Sequence, residues 1–238
     1  GLIDVKDLEL SGIEQNNQLA MAVKGHIHTE QIDINELLQH LGVGDLPLEL
    51  FASVDLDCSG PVTPSTQVAC QGNAQGDQLE VRSGDKKTDI IAWIDHFEAA
   101  GGLVVTRQAV SYKTQLKIGQ DTGVTDGVIN YDHGFKINFA TDSVLHFENI
   151  KQLAGLKLEG MSSIKGSTQG DSHAATFNMN MNGQDMVFED FKLGNPTGLV
   201  RYDKGHIFFD DLQGLIGNSK YSGQVTVDLL KHRIAARA

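Results

Sequence analysis

The chain has 238 residues, enough to bury a real core in one large β domain or two small ones. A net charge of −12 with no offsetting Lys/Arg cluster excludes binding to a nucleic-acid backbone and broad charge-driven docking on an anionic bilayer. Hydrophobic residues at 40% and charged residues at 21% exclude wholesale disorder, and the 26 glycines show no collagen period.

The predominant pattern along the chain is period two, apolar then polar, which places successive strand side chains on opposite faces. Strands are predicted at 5–10 and 18–28. In Gly25-His26-Ile27-His28 the two imidazoles share a face, but no third ligand is indicated, so they read as solvent-face histidines and no metal is expected. Asn35-Glu36-Leu37-Leu38-Gln39-His40-Leu41 before Gly42 predicts a short helix with an Asn cap and a Gly stop. Val54-Asp55-Leu56-Asp57-Cys58 alternates. Cys58 and Cys70 flank eleven residues that include Gly60-Pro61 and Pro64. That spacing is wrong for a Cys-x-x-Cys motif. It suits two neighbouring strands bridged by a disulfide across a loop, Ser59–Thr66, in an oxidising compartment, the alternative being two buried thiols.

Further strands are predicted at 78–82, 102–108 and 110–118. Asp121-Thr122-Gly123-Val124-Thr125-Asp126-Gly127 lacks the carboxylate spacing of a calcium loop and reads as a Gly-rich hairpin turn. Strands follow at 125–131, 135–139 and 143–147. Asn149-Ile150-Lys151-Gln152-Leu153-Ala154 before Gly155 predicts a second short helix. A loop at Gly166–Ser172 leads into strict alternation from Phe177 to Asn182, and strands follow at 186–192, 198–203, 206–210 and 224–229. The two helical patches fall in register at an offset of 113 residues. Each is followed by an alternating strand, a Ser/Thr/Gly-rich loop and another strand, which predicts repeat units at about 18–82 and 135–192. With no Pro-rich or charged linker between them, 1–238 reads as one continuous domain. It opens at Gly1 without Met or signal peptide and ends in Leu-Leu-Lys-His-Arg-Ile-Ala-Ala-Arg-Ala, as expected of an internal piece of a longer protein.

Enzyme motifs are missing: there is no dinucleotide fingerprint, phosphate loop, His-Glu-x-x-His or nucleophile elbow. Asp55/Asp57 and Asp210-Asp211 read as wet-face charge rather than paired catalytic acids. The expectation is a protein that is not an enzyme and uses no cofactor. The apolar stripes fit two arrangements. One is a closed sandwich core, as in a structural or adhesive extracellular domain that binds through its loops. The other is a concave face open to acyl chains, for which Phe177, Met179, Met181 and Met186 are suited because Met adapts to variable shapes.

Three pieces carry a family resemblance: Val144 to Leu153, Ile164-Lys165-Gly166-Ser167-Thr168-Gln169-Gly170, and Gly217 to Leu229. Together with Gly25–Gly60 as an earlier copy of the same unit, they resemble the AsmA/TamB superfamily of bacterial envelope proteins. The resemblance implies a mainly β fold, a long twisted antiparallel sheet curved into a groove, with the two short helices attached. It implies a periplasmic segment of a protein anchored in the inner membrane outside this chain. Its ligand would be phospholipid or another acyl-chain lipid, with other envelope proteins as further partners. The work implied is phospholipid transport between the membranes or outer-membrane assembly. The groove-facing candidates are Val54, Leu56, Leu116, Ile118, Phe135, Ile137, Phe139, Phe177, Met179, Met181, Val225 and Val227.

Overall fold

A computed structural model describes all residues except 16–17, 41–47, 83–89, 132–135, 151, 154, 172–175, 230, 232 and 238. The strands are β1 (Leu2–Gln15), β2 (Gln18–Asp33), β3 (Leu48–Thr63), β4 (Gln67–Arg82), β5 (Ile90–Thr106), β6 (Ala109–Ile118), β7 (Asp121–Asn130), β8 (Lys136–His146), β9 (Gln152–Leu153), β10 (Leu158–Asp171), β11 (Thr176–Phe188), β12 (Phe191–Gly194), β13 (Thr197–Asp203), β14 (His206–Ile216), β15 (Ser219–Asp228) and β16 (Arg233–Arg237). One helix, α1 (Ile34–His40), and a 3₁₀ turn, Phe147–Asn149, complete the described elements.

All strands belong to one antiparallel sheet, with β1 and β16 first and last in its strand order. Fourteen strands follow one another along the hydrogen-bonded path; β12 pairs off β11, and β9 pairs off β5. This is the mainly β fold that the alternation implied, in the single curved antiparallel sheet that the resemblance implied. A two-layer sandwich is excluded by surface area as well as topology. A compact monomer of 25.8 kDa exposes about 10,500 Å², whereas this chain exposes 14231 Å².

Curvature has a local cause. Register slips between Lys6 and Glu9, between Thr29 and Ile32, and between Phe209 and Leu212 mark β-bulges. Asp7, Gln31 and Asp211 take left-handed φ near 50° at these slips. Each bulge adds a residue to one strand only, so the strand bends and its twist increases. Short polar residues tolerate that conformation best, which explains Asp at two of the three sites.

Four expectations are corrected in detail. The helix cap in front of α1 is Asp33, not Asn35: its Oδ1 accepts the Glu36 N–H at 3.1 Å. Asp33 and Glu36 have the three-residue spacing of a capping box. The second helix does not form. After one 3₁₀ turn, Ile150 is already extended (φ −101°, ψ 114°), and Gln152–Leu153 pair with Ala92 and Trp93 of β5. Burial of Phe147 and a strand partner outweigh a six-residue helical pattern, which lacks the length to hold itself. Residues 121–127 are strand rather than turn, and the β6–β7 turn is Gly119-Gln120, where Gly119 has φ +60°. The predicted loops shrink similarly: β3 runs through Gly60-Pro61 to Thr63, and β10 covers 158–171.

The packed core sits toward the C-terminal end. Phe147, Met181, Met186 and Leu212 are buried together, with Leu158, Leu193, Phe209 and Val225 against them. The short β12 is held there by the Tyr221 hydroxyl, which donates to the Leu193 carbonyl at 2.8 Å.

Candidate functional site

Cross-strand partners share a face, so the register extends the strand alternation into rows that run across the sheet. One row is Val54–Ala74–Ala99–Leu116–Gly123–Ser143–Ile164–Met181. The next is Leu56–Gly72–Gly101–Thr114–Thr125–Thr141–Gly166–Met179–Val200–Phe209–Val225. A third runs Leu103–Tyr112–Gly127–Phe139–Thr168–Phe177–Tyr202–Ile207–Val227. The middle row is small from Gly72 to Gly166; over the same strands the Val54 row is mixed, with Ala74, Ala99, Leu116, Gly123, Ser143 and Ile164, and the third row has Leu103, Tyr112 and, by register, Phe139. The apolar face therefore carries a Gly/Thr row that runs across the strands, with bulkier side chains along one flank.

The candidates fall on this face as follows. Val54, Leu56, Leu116, Ile118, Ile137, Phe177, Met179 and Val225 are half-buried, although no second layer covers them among the described residues. Met181 and Val227 are buried, and Met181 belongs to the packed core. Phe177 stacks on Tyr202 with ring centroids 5.4 Å apart. Phe139 takes its register position in β8, and Phe135 lies outside the described residues. Near the packed end, Leu158, Met181, Phe188, Leu193 and Phe209 line a small apolar cavity of about 40 Å³. The larger concavity, about 770 Å³, opens on the opposite, polar face between Lys113, Gln115, Asp126, Asp142, Lys165 and Asn180. There Lys165 Nζ lies 2.7 Å from Asp142 Oδ2, and that hydrogen bond raises the lysine pKa.

The polar face carries a ladder that the alternation hinted at without pairing its members. His26 sits opposite Asp57 and His28 opposite Asp55. His26 Nδ1 is 3.0 Å from Asp57 Oδ1; His28 Nδ1 is 3.2 Å from Asp55 Oδ2, and His28 Nε2 is 3.3 Å from Glu30 Oε1. Hydrogen bonds to Glu30 and then Asp55 raise the His28 pKa above its ordinary value. Asp55, Asp57 and Glu30 thus each hold an imidazole. Asp210 likewise receives Arg201 Nε at 2.6 Å, and the Arg201 guanidinium lies 4.7 Å from the Phe208 ring centre. Among the described residues no group of three or more His, Cys, Asp or Glu is arranged to hold a metal ion.

A second polar node is buried, and nothing in the local sequence announces it. The Asp121 side chain, 3% exposed, accepts the His146 backbone N–H at 2.6 Å, the Asn149 amide at 2.7 Å and the His146 ring. Burial alone would raise the Asp121 pKa, but the hydrogen bonds from His146 and Asn149 outweigh it and hold the carboxyl below its ordinary value. Asn149 also donates to the Ile118 carbonyl at 3.4 Å. The node ties the β6–β7 turn to the crossover that carries the chain from β8 to β9. It is a brace between these two elements.

Cys58 and Cys70 are directly opposite on β3 and β4 and form a disulfide. The bond fits an oxidising compartment. No helix among the described residues is long and apolar enough to cross a membrane, which leaves membrane-spanning strands unaddressed. No family model, curated protein or solved structure matches the chain.

Proposed function

We propose that this protein is a carrier surface for acyl chains, a groove segment in the periplasm that contributes to phospholipid movement between membranes or to outer-membrane assembly. The observation that supports the reading is the apolar face. It is continuous across as many as eleven strands, has a row of small residues running across its middle, and has no covering layer among the described residues. Leaving such a face to water is costly, at roughly 25 cal/mol per Å², and a chain-like apolar ligand laid along that row would remove that cost. The disulfide supports the oxidising location, and the resemblance to AsmA/TamB proteins supports the periplasm in particular.

A photo-crosslinking residue introduced in turn at Leu116, Ile137 and Met179, with Gln115, Asn138 and Asn180 as their opposite-face neighbours, tests the reading. With phosphatidylethanolamine/phosphatidylglycerol vesicles as the probe, lipid adducts are expected from the first set only. Equal labelling from both sets, or no lipid retained in native mass spectra, would refute it.

A second reading, a structural or adhesive domain with a polar ligand, has one observation in its favour: the larger concavity is on the polar face. In that case the adducts would be replaced by soluble-glycan binding that is lost on Lys113→Glu.

A further inference from the structure

The Gly/Thr row has two ends, and both lie well inside the sheet. Its small positions occupy six successive strands, from Gly72 on β4 to Gly166 on β10. On one side the same row continues into Leu56 of β3 and Ile27 of β2. On the other it continues into Met179 of β11, then Val200, Phe209 and Val225. Those last three pack against the buried cluster of Phe147, Met181, Met186 and Leu212, so that end is backed by the core. Leu56 and Met179 are half-buried side chains standing at the two limits. Between them the backbone itself keeps the surface low. A Cβ on Gly72, Gly101 or Gly166 would collide with the carbonyl oxygen of Asp55, Lys113 or Asn178 on the neighbouring strand, so no side chain fits at these points.

We propose that this stretch measures its cargo: it seats one straight acyl chain of about 18–20 carbons, with Leu56 and Met179 as its end stops. The inference rests on the carrier reading and adds the size of the ligand. Neighbouring strands are about 4.8 Å apart, so the five intervals from β4 to β10 make a bed about 24 Å long. An all-trans chain with C–C bonds of about 1.5 Å at tetrahedral angles advances roughly 1.25 Å per bond, and about 18–20 carbons extend about 21–24 Å. Leu103 and Tyr112 stand along one flank of the bed and would bear on the chain from the side. The three threonines, Thr114, Thr125 and Thr141, each offer a methyl group in the same row as the glycines. Each further methylene laid on this surface leaves water, until the chain end meets a stop and the next carbon has no bed beneath it.

Chain-length profiles test this. Two saturated series, free fatty acids and single-chain phosphatidylethanolamines, compete with a bound fluorescent polyene fatty acid, each kept below its own aggregation concentration. Over chains of about 10 to 24 carbons the dissociation constant is expected to fall roughly fourfold per methylene, then to level at about 18–20 carbons. Thr141→Leu fills the row at β8 and leaves the four strands from Gly72 to Thr125, about 14 Å, so the break is expected at about 12 carbons. Met179→Ala removes one stop and moves the break up by about four carbons. A retained far-ultraviolet β spectrum confirms that each variant folds; should one not fold, the break in the unmodified protein and in the other variant decides. A break in both series means that the row reads the chain alone, and a break in one series only assigns the cargo to that source. Affinity that keeps rising to the longest chain, or a break that stays in place in the folded variants, overturns the proposal and leaves the carrier reading standing. Failure of every chain to bind overturns both.

Discussion

Replacing Asp121 with Asn keeps the shape of the buried node and removes its charge. The carboxylate accepts three hydrogen bonds, from the His146 N–H, the His146 ring and the Asn149 amide. The His146 N–H and the Asn149 amide both donate to Oδ2, so an asparagine with its oxygen there keeps those two bonds in neutral form, and its own amide donates to His146 Nδ1 in the other tautomer of that ring. Hydrogen bonds to a charged acceptor contribute about 1.5–3 kcal/mol each and neutral ones roughly half that. Halving two charge-assisted bonds costs about 2 kcal/mol. For a chain of this length that lowers the melting temperature by about 4–8 °C. The effect is local, so hydrogen exchange should show it first at the β6–β7 turn and in residues 147–153, ahead of β1–β4. The pH dependence carries a second signature. The folded Asp121 pKa lies below its unfolded value of about 3.9. Its contribution is therefore fully present above that value and is lost as pH falls through the folded pKa. The unmodified protein should lose stability on acidification in that window, and Asp121→Asn should lack that part of the loss. An Asn variant within 0.5 kcal/mol of the original at pH 7 would show that the node is not a brace.

Reducing Cys58–Cys70, or replacing both with Ser, should cost about 3 kcal/mol for the loop they close; urea melts with and without reductant measure it, and coincident melts would contradict it. Gly166→Ala should be poorly tolerated, because a Cβ there would sit 2.1 Å from the Asn178 carbonyl oxygen and 2.6 Å from Met179 Cα. Backbone cannot step aside as a side chain can, so a loss of about 2 kcal/mol or more in a chemical melt is expected. The His28 ring should titrate above its ordinary value by NMR, and Glu30→Gln should bring it back down, since Glu30 is the first cause of the shift. The raised folded pKa means this contribution is present below about pH 6.5 and fades as pH rises through the folded value. A His28 titration unmoved by Glu30→Gln would assign the shift elsewhere.

Period-two alternation located most strands because a half-buried sheet imposes it residue by residue. Strand length was another matter. β10 runs through Gly166-Ser167-Thr168-Gln169-Gly170, a composition typical of loops, because neighbouring strands on both sides supply its hydrogen bonds. The failed second helix has the same origin: Gln152 and Leu153 find a partner in β5, sixty residues away in sequence. The disulfide was inferable because its two cysteines flank one turn. The Asp121 node was not, since its members are 25 and 28 residues apart and nothing about an isolated aspartate after a Gly turn distinguishes it.

Local patterning, then, dictated the class of structure, the membership of the apolar face and the pairing of Cys58 with Cys70. These depend on side-chain direction and short loops, which neighbouring residues control. Register was decided only when the whole sheet was assembled. It aligned Gly72, Gly101, Thr114, Thr125, Thr141 and Gly166 into one row and set His26 and His28 against Asp57 and Asp55. Register depends on turns, bulges and partners far along the chain. A one-residue slip in any strand would have exchanged its oily and wet faces.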